Sequence, residues 1–239
     1  MMVCLIGMAF TKETSKVVVC NAAGLEKADL CGEKLFFVGK NARLFPNSDA
    51  SAEKYCSQTS NLVQCVKRYT DKCSLNDIQR NLANVMLYTV RSHHKSVCGS
   101  KTKRTQLVTI AKCANSIRKK SSECMNKMLI EFGQALALKE SKNRVPYGCC
   151  SFHKMKNCIM EVADRAGKDV CSPKAKDTFE QYISSMAGNT LELMCSEYDA
   201  ESDRCQTVRR LPFNPKKAKT PNSMLKAFGD LLLSEPEKN

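Results

Sequence analysis

LVTIAKCANSIRKKSSECMNKMLIEFGQAL, residues 107–136, decides the fold. Leu107, Ile110, Ala114 and Ile117 recur at intervals of three and four, and Met125, Met128, Leu129, Phe132 and Leu136 do so again. That period buries one face of a helix, whereas a half-buried strand would alternate with period two. Cys113 and Cys124 are eleven residues apart. Eleven residues make three helical turns, so the two thiols face the same way if the helix is continuous. Thiols on apolar helical faces are the placement expected of bridges between packed helices.

The same logic extends outward. No proline occurs between Pro46 and Pro146, and only Gly99 and Gly133 interrupt that stretch, so long helices are permitted. Leu62, Cys65, Val66 and Tyr69 form one stripe, and Ile78, Leu82, Val85, Met86, Thr89 and Val90 form the next. Phe179, Ile183, Met186, Thr190 and Leu193 follow Ser172-Pro173, the N-cap and first-turn signal of a helix. Leu35–Val38 reads as a short strand. The fold expected is an all-α, disulfide-stapled helical bundle with a short amphipathic C-terminal helix, in which Met224, Leu225, Phe228, Leu231 and Leu232 take helical spacing.

Fifteen cysteines in 239 residues set the compartment. So many thiols are unusual in a reducing cytosol. None forms a C-x-x-C pair, the close spacing that structural zinc sites use. Twelve form an even set that allows six bridges: Cys56, Cys65, Cys73, Cys98, Cys113, Cys124, Cys149, Cys150, Cys158, Cys171, Cys195 and Cys205. Cys149 and Cys150 are neighbours. A bond between them would be strained, so they are expected to take different partners and tie three segments together. Pairing beyond this does not follow from sequence. Cys65 to Cys73 and Cys150 to Cys158 are both eight apart, a hint of internal duplication.

The ends differ from the body. Residues 1–24 resemble a degraded or truncated secretory signal: Met1–Phe10 is apolar, Thr11–Lys16 is polar, and Cys20-Asn21-Ala22 is a small-x-small site. Removal of residues 1–22 would leave an odd cysteine, taken as Cys31. The cysteine-rich domain then runs over 25–207. Residues 208–239 read as a basic, proline-interrupted linker and the tail helix. Arg209, Arg210, Lys216, Lys217 and Lys219 lie in this linker, which has no acid from Gln206 to Pro221. No N-glycosylation sequon is present.

The formal charge of +14 is segregated. No acid lies between Asp77 and Glu123, while Arg91, Lys95, Lys101, Lys103, Arg104, Lys112, Arg118, Lys119 and Lys120 do. These nine define a candidate anion-binding surface, since a one-signed field concentrates anionic partners. Sulfated glycans, anionic lipid head groups or acidic proteins suit a disulfide-bonded protein. Nucleic acid does not fit, because single-strand recognition calls for interleaved aromatics and the stretch holds only Tyr88.

Reactive motifs are few. Tyr147–Lys154 resembles the C-C-x-x-H helix of secreted phospholipases, in which the histidine is a general base and the next residue an aspartate that binds calcium. Here Lys154 follows His153, and the glycine-rich calcium loop is missing. His93 and His94 are adjacent, so on a helix they point about 100° apart and chelate one ion poorly. No catalytic residue, metal site or cofactor is assigned.

The run Tyr55-Cys56, Cys65-Val66-Lys67-Arg68-Tyr69, Lys72-Cys73, Cys98-Gly99, Cys113, Cys124, Cys149-Cys150, Cys158, Cys171, Cys195 and Cys205 is similar to arthropod secreted cysteine-rich proteins of the haemolymph glycoprotein family. It also resembles domains of unknown function abundant in arachnids and nematodes. The likeness spans about residues 50–207 and rests on cysteine spacing. It implies a secreted helical protein without catalysis, although the absence of a sequon departs from a glycoprotein.

The expected function is that of a non-enzymatic binding or carrier protein of body fluid or a gland secretion. Met125, Met128, Met155, Met160, Met186 and Met194 would line an apolar ligand between helices, or else belong to the core. The alternatives are a membrane- or glycan-directed venom or defence effector using the basic face, and a phospholipase-like enzyme.

Overall fold

A computed structural model describes residues 18–233 except 74–75, 139–140, 199–201, 209–219 and 222. The side chains of residues 78, 79, 82, 141, 187–194, 225 and 232–233 are outside it as well. Among the described residues there are eight α-helices, one 3-10 turn at Ser141–Asn143, and no strand. The helices are α1 (Ala22–Glu33), α2 (Asp49–Cys73), α3 (Asp77–Cys98), α4 (Lys101–Leu136), α5 (Arg144–Arg165), α6 (Pro173–Cys195), α7 (Asp203–Val208) and α8 (Met224–Leu233). None is long and apolar enough to cross a membrane.

The two stripes of residues 107–136 are one helix. α4 runs 36 residues, begins at Ser100, whose hydroxyl accepts from Lys103 N, and buries Leu107, Ile110, Ala114, Ile117, Met125, Met128, Leu129 and Phe132. It packs along α5 and also touches α2, α3, α6 and α8. α6 starts as its sequence predicts, with Ser172 Oγ accepting from Ala175 N and Pro173 in the first turn.

Elsewhere the stripes are displaced. In α2 the deep face is Tyr55, Cys56, Thr59 and Val63, while Leu62, Cys65, Val66 and Tyr69 are only half-buried. Two threonines, Thr59 and Thr70, sit on the buried side, so hydropathy alone places the face wrongly. In α3 the buried positions are Leu87, Val90, His93 and Val97, whereas Val85 is 49% exposed.

Leu35–Val38 is not a strand. It belongs to an irregular segment between α1 and α2 whose Leu35, Phe36, Phe37, Val38, Ala42 and Phe45 are all buried. A buried loop must have its backbone satisfied, and long-range side chains do this here. The Asn115 carboxamide brackets Phe45, accepting from its N–H at 2.9 Å and donating to its carbonyl at 3.0 Å. Glu33 accepts from Asn41 N at 2.9 Å and Asn41 Nδ2 at 2.8 Å. Arg43 donates to Lys34 O, Tyr55 O and Thr59 Oγ1 and lies 4.1 Å from the Tyr55 ring centroid. Phe37 and Phe45 meet Phe179 and Tyr182 edge-on, with centroids 5.1–6.1 Å apart.

Seven bridges use fourteen of the fifteen cysteines, and Cys4 lies outside the described residues. The twelve cysteines from Cys56 onward do not form a closed set. Cys65 pairs with Cys31 and Cys73 with Cys20, because α1 lies antiparallel to α2 and the register that joins one pair brings the other together. Cys31 is therefore not the odd thiol. Residues 18–24 belong to the helical body, since Asn21 caps α1; residues 1–17 lie outside the described ones. Cys149–Cys195 and Cys150–Cys205 tie α5 to α6 and α7, so the neighbouring pair does join three segments. The eight-residue spacings are not equivalent: Cys65 and Cys73 both bond the α1 region, whereas Cys150 and Cys158 bond α7 and α4.

The bridges also divide the molecule. Cys20–Cys73, Cys31–Cys65 and Cys56–Cys98 close among α1, α2 and α3. Cys113–Cys171, Cys124–Cys158, Cys149–Cys195 and Cys150–Cys205 close among α4 to α7. Among the described residues no bridge crosses the Gly99–Ser100 turn.

Candidate functional site

The nine basic residues of the expected anion-binding surface divide into two kinds. Four are engaged with the protein. Arg118 donates to Ala42 O at 2.6 Å and so holds the buried loop. Lys112 donates to Asp169 O at 2.7 Å. Arg104 donates to Cys98 O at 3.1 Å and pairs with Glu53 at 3.2 Å. Lys101 lies 3.7 Å from Asp49, with both side chains well exposed. The acid-free run of sequence is therefore not free of acid in space, because the start of α2 supplies two carboxylates to the start of α4.

The other five, Arg91, Lys95, Lys103, Lys119 and Lys120, are exposed and have no partner among the described residues. They form two groups. Arg91 and Lys95 sit one turn apart near the end of α3, with Lys103 just past the following turn. Lys119 and Lys120 are sixteen residues further along α4 than Lys103, about 24 Å on a helix. The basic face is two separate clusters. Beside the first lies Tyr88, 73% exposed, with Val85 one turn earlier. Its place three residues before Arg91 was visible in the sequence, and its exposure was not.

The methionine stripe is core. Met125, Met128, Met155 and Met186 are buried at 1–6% exposure, and Met160 packs against them half-buried. Met194 lies outside the described side chains. A shallow cleft among the 36–39 segment, α4 and the start of α8, lined by Phe36, Val38, Met125, Leu129, Ser223 and Met224, has room for about one water.

The tail helix docks on the body. Met224, Ala227, Phe228 and Leu231 of α8 are buried, and the Phe228 ring meets Phe132 edge-on at 4.7 Å. Ser223 caps α8 by accepting from Lys226 N and donates to the buried carboxylate of Asp29 in α1. Gly148 of α5 makes room for this contact: a Cβ there would stand 2.7 Å from Leu231 Cδ1 and 3.1 Å from Phe132 Cε1. The basic stretch 209–219 lies outside the described residues.

The two neighbouring histidines face different helices. His93 is buried against α6, with Nδ1 2.9 Å from Ser185 Oγ and its ring edge-on to Tyr182 at 4.6 Å. Nε2 is buried with no hydrogen-bond partner among the described residues. Burial, with a smaller contribution from His94, pushes His93 down to about 4, so the ring is neutral at pH 7. His94 turns to α2 and donates from Nε2 to Cys56 O at 2.9 Å. Cys56, His94 and Cys98 bring three donor atoms within 4.8 Å of one another, but the two sulfurs are bonded to each other. The phospholipase-like segment lies in α5, where Lys154 pairs with Glu131 at 2.5 Å, Cys150 is bonded to Cys205, and the His153 ring lies 5.8 Å from that of Phe152.

No protein-family model, curated protein or solved structure matches this chain.

Proposed function

We propose that the chain is a secreted, non-enzymatic binding protein that engages an anionic macromolecule through cations on its exterior. Seven bridges in one chain are the chemistry of an oxidising, extracellular compartment. The likeness in cysteine spacing to secreted haemolymph proteins agrees with that placement. The observation that carries the reading is the set of five exposed cations without partners among the described residues, in a molecule whose Met125, Met128, Met155 and Met186 are buried in the core. Like charges left unpaired on the exterior favour an anionic ligand and steer it. The cleft beside Met125 and Met224 has room for about one water and lends no support to an internal carrier role. A membrane anchor built on the tail is also less favoured, because α8 already spends its apolar face on Phe132 and Gly148.

The test is retention on immobilised heparin compared with neutral dextran, over a salt series, together with native mass spectrometry of the secreted protein. The expected result is salt-sensitive retention on heparin only, and a mass equal to the oxidised polypeptide. A stoichiometric co-purified lipid would instead favour a carrier, and retention by neither matrix would overturn the anionic partner.

A further inference from the structure

The outward face of α3 combines features that occur on no other described helix. Tyr88 is the most exposed large hydrophobic among the described residues, at 73%, and Val85 beside it is 49% exposed. Tyr88, Arg91 and Lys95 stand at positions i, i+3 and i+7, which share one side of a helix. From Tyr88 to Lys95 the axial distance is about 10 Å, the reach of a short oligosaccharide. Arg91 and Lys95 are exposed and unpartnered among the described residues. The only acid in α3, Asp77, is at its far end and is held by Arg80 at 2.7 Å. The nearby carboxylates of α2, Asp49 and Glu53, are taken by Lys101 and Arg104. An exposed ring therefore borders two cations with which no described carboxylate pairs.

We infer that this face is a binding site for an acidic glycan, with a pyranose ring packed on Tyr88 and its sulfate or carboxylate groups paired with Arg91 and Lys95. The inference rests on the anionic-partner reading above and names the site and the ligand class. An aromatic ring offers flat amphipathic area at small entropic cost, and a guanidinium matches the geometry of a sulfate or carboxylate with two parallel hydrogen bonds. A lipid surface would call for a broad apolar face with cations along its border, whereas the exposed large apolar side chains among the described residues of α3 are Val85 and Tyr88. Single-stranded nucleic acid would call for several stacking rings in series, and α3 presents one.

The experiment is calorimetric titration with a heparin octasaccharide at several salt concentrations. Four proteins are compared: the full chain, Tyr88→Ala, Arg91→Gln/Lys95→Gln, and Lys119→Gln/Lys120→Gln. All the replaced side chains are exposed, so the fold is kept. Tyr88→Ala is expected to weaken binding about tenfold with an unchanged salt slope. Arg91→Gln/Lys95→Gln is expected to weaken it further and to lower the slope by about two, one for each cation. The α4 double variant is expected to lose less affinity than the α3 double variant and to leave the effect of Tyr88→Ala intact, since Lys119 and Lys120 stand about 24 Å from Lys103 along α4. If only the α4 variant loses binding, the α3 site is wrong while the anionic-partner reading stands. If the unaltered chain does not bind, both fail. If a polyglutamate peptide binds as tightly as heparin and is indifferent to Tyr88→Ala, the glycan assignment is overturned.

Discussion

Individual side chains decide which charges serve the surface and which serve the fold. In sequence Arg118 and Lys119 are indistinguishable, yet Arg118 is spent on Ala42 O and Lys119 projects into solvent. The distinction depends on where the loop before α2 comes to lie, which no local pattern encodes. Arg43 is a comparable case. Its three hydrogen bonds and its place over Tyr55 require a planar fork, so Arg43→Lys should lower stability by about 2 kcal/mol, read from urea unfolding. His93 makes a prediction about pH. Its folded value of about 4 lies below the ordinary histidine value of 6.5, so the unfolded chain binds the extra proton first. Stability is complete above about pH 6.5, falls as pH drops toward 4 and then levels off, with a total loss of up to about 3 kcal/mol. His93→Leu should flatten that slope in a urea-midpoint series. An unchanged slope would show that other groups carry the acid sensitivity.

At the level of elements, the helices were legible and their faces less so. α4 and the start of α6 follow directly from spacing and capping. The buried side of α2 was displaced because Thr59 and Thr70 are satisfied inside the bundle, where a hydropathy pattern expects polar residues outside. The loop after α1 read as a strand because Leu35–Val38 is an apolar run. Its true conformation depends on Asn115 and Arg118 reaching it from α4 and on Glu33 and Arg43 closing it locally. For the tail, the amphipathic pattern was clear but its destination was not, since the space over Gly148 exists only after α4 and α5 have packed. Gly148→Ala tests that space. Alanine favours α5 by about 1 kcal/mol, while crowding against Leu231 and Phe132 costs about 1–3 kcal/mol. The expected outcome is a small net loss of stability, with faster amide exchange in α8 and unchanged protection in α5.

For the molecule as a whole, the presence of disulfide staples was written in the cysteine count, and their pairing was not. Each bridge closes a loop of 34–58 residues, for which restriction of the unfolded chain contributes about 4 kcal/mol in the entropic view. The division at Gly99–Ser100 has a direct test. A protease site inserted there and cut should yield two pieces that separate on a denaturing gel without reductant, each with the mass of its oxidised form. Pieces that part only after reduction would refute the pairing. What holds the two parts together before denaturation is noncovalent: Phe37 and Phe45 pack against Phe179 and Tyr182, and Asn115 and Arg118 hydrogen-bond to the loop before α2. The same division matters while the chain is being made. Cys20, Cys31, Cys56, Cys65, Cys73 and Cys98 emerge before the other eight bridged cysteines and need only one another, and six thiols allow on the order of ten pairings. The eight that follow choose among on the order of a hundred, with the earlier set already closed to exchange. Oxidation in order of synthesis thus removes most of the mispaired isomers that all fourteen thiols, released together, would have to sort through.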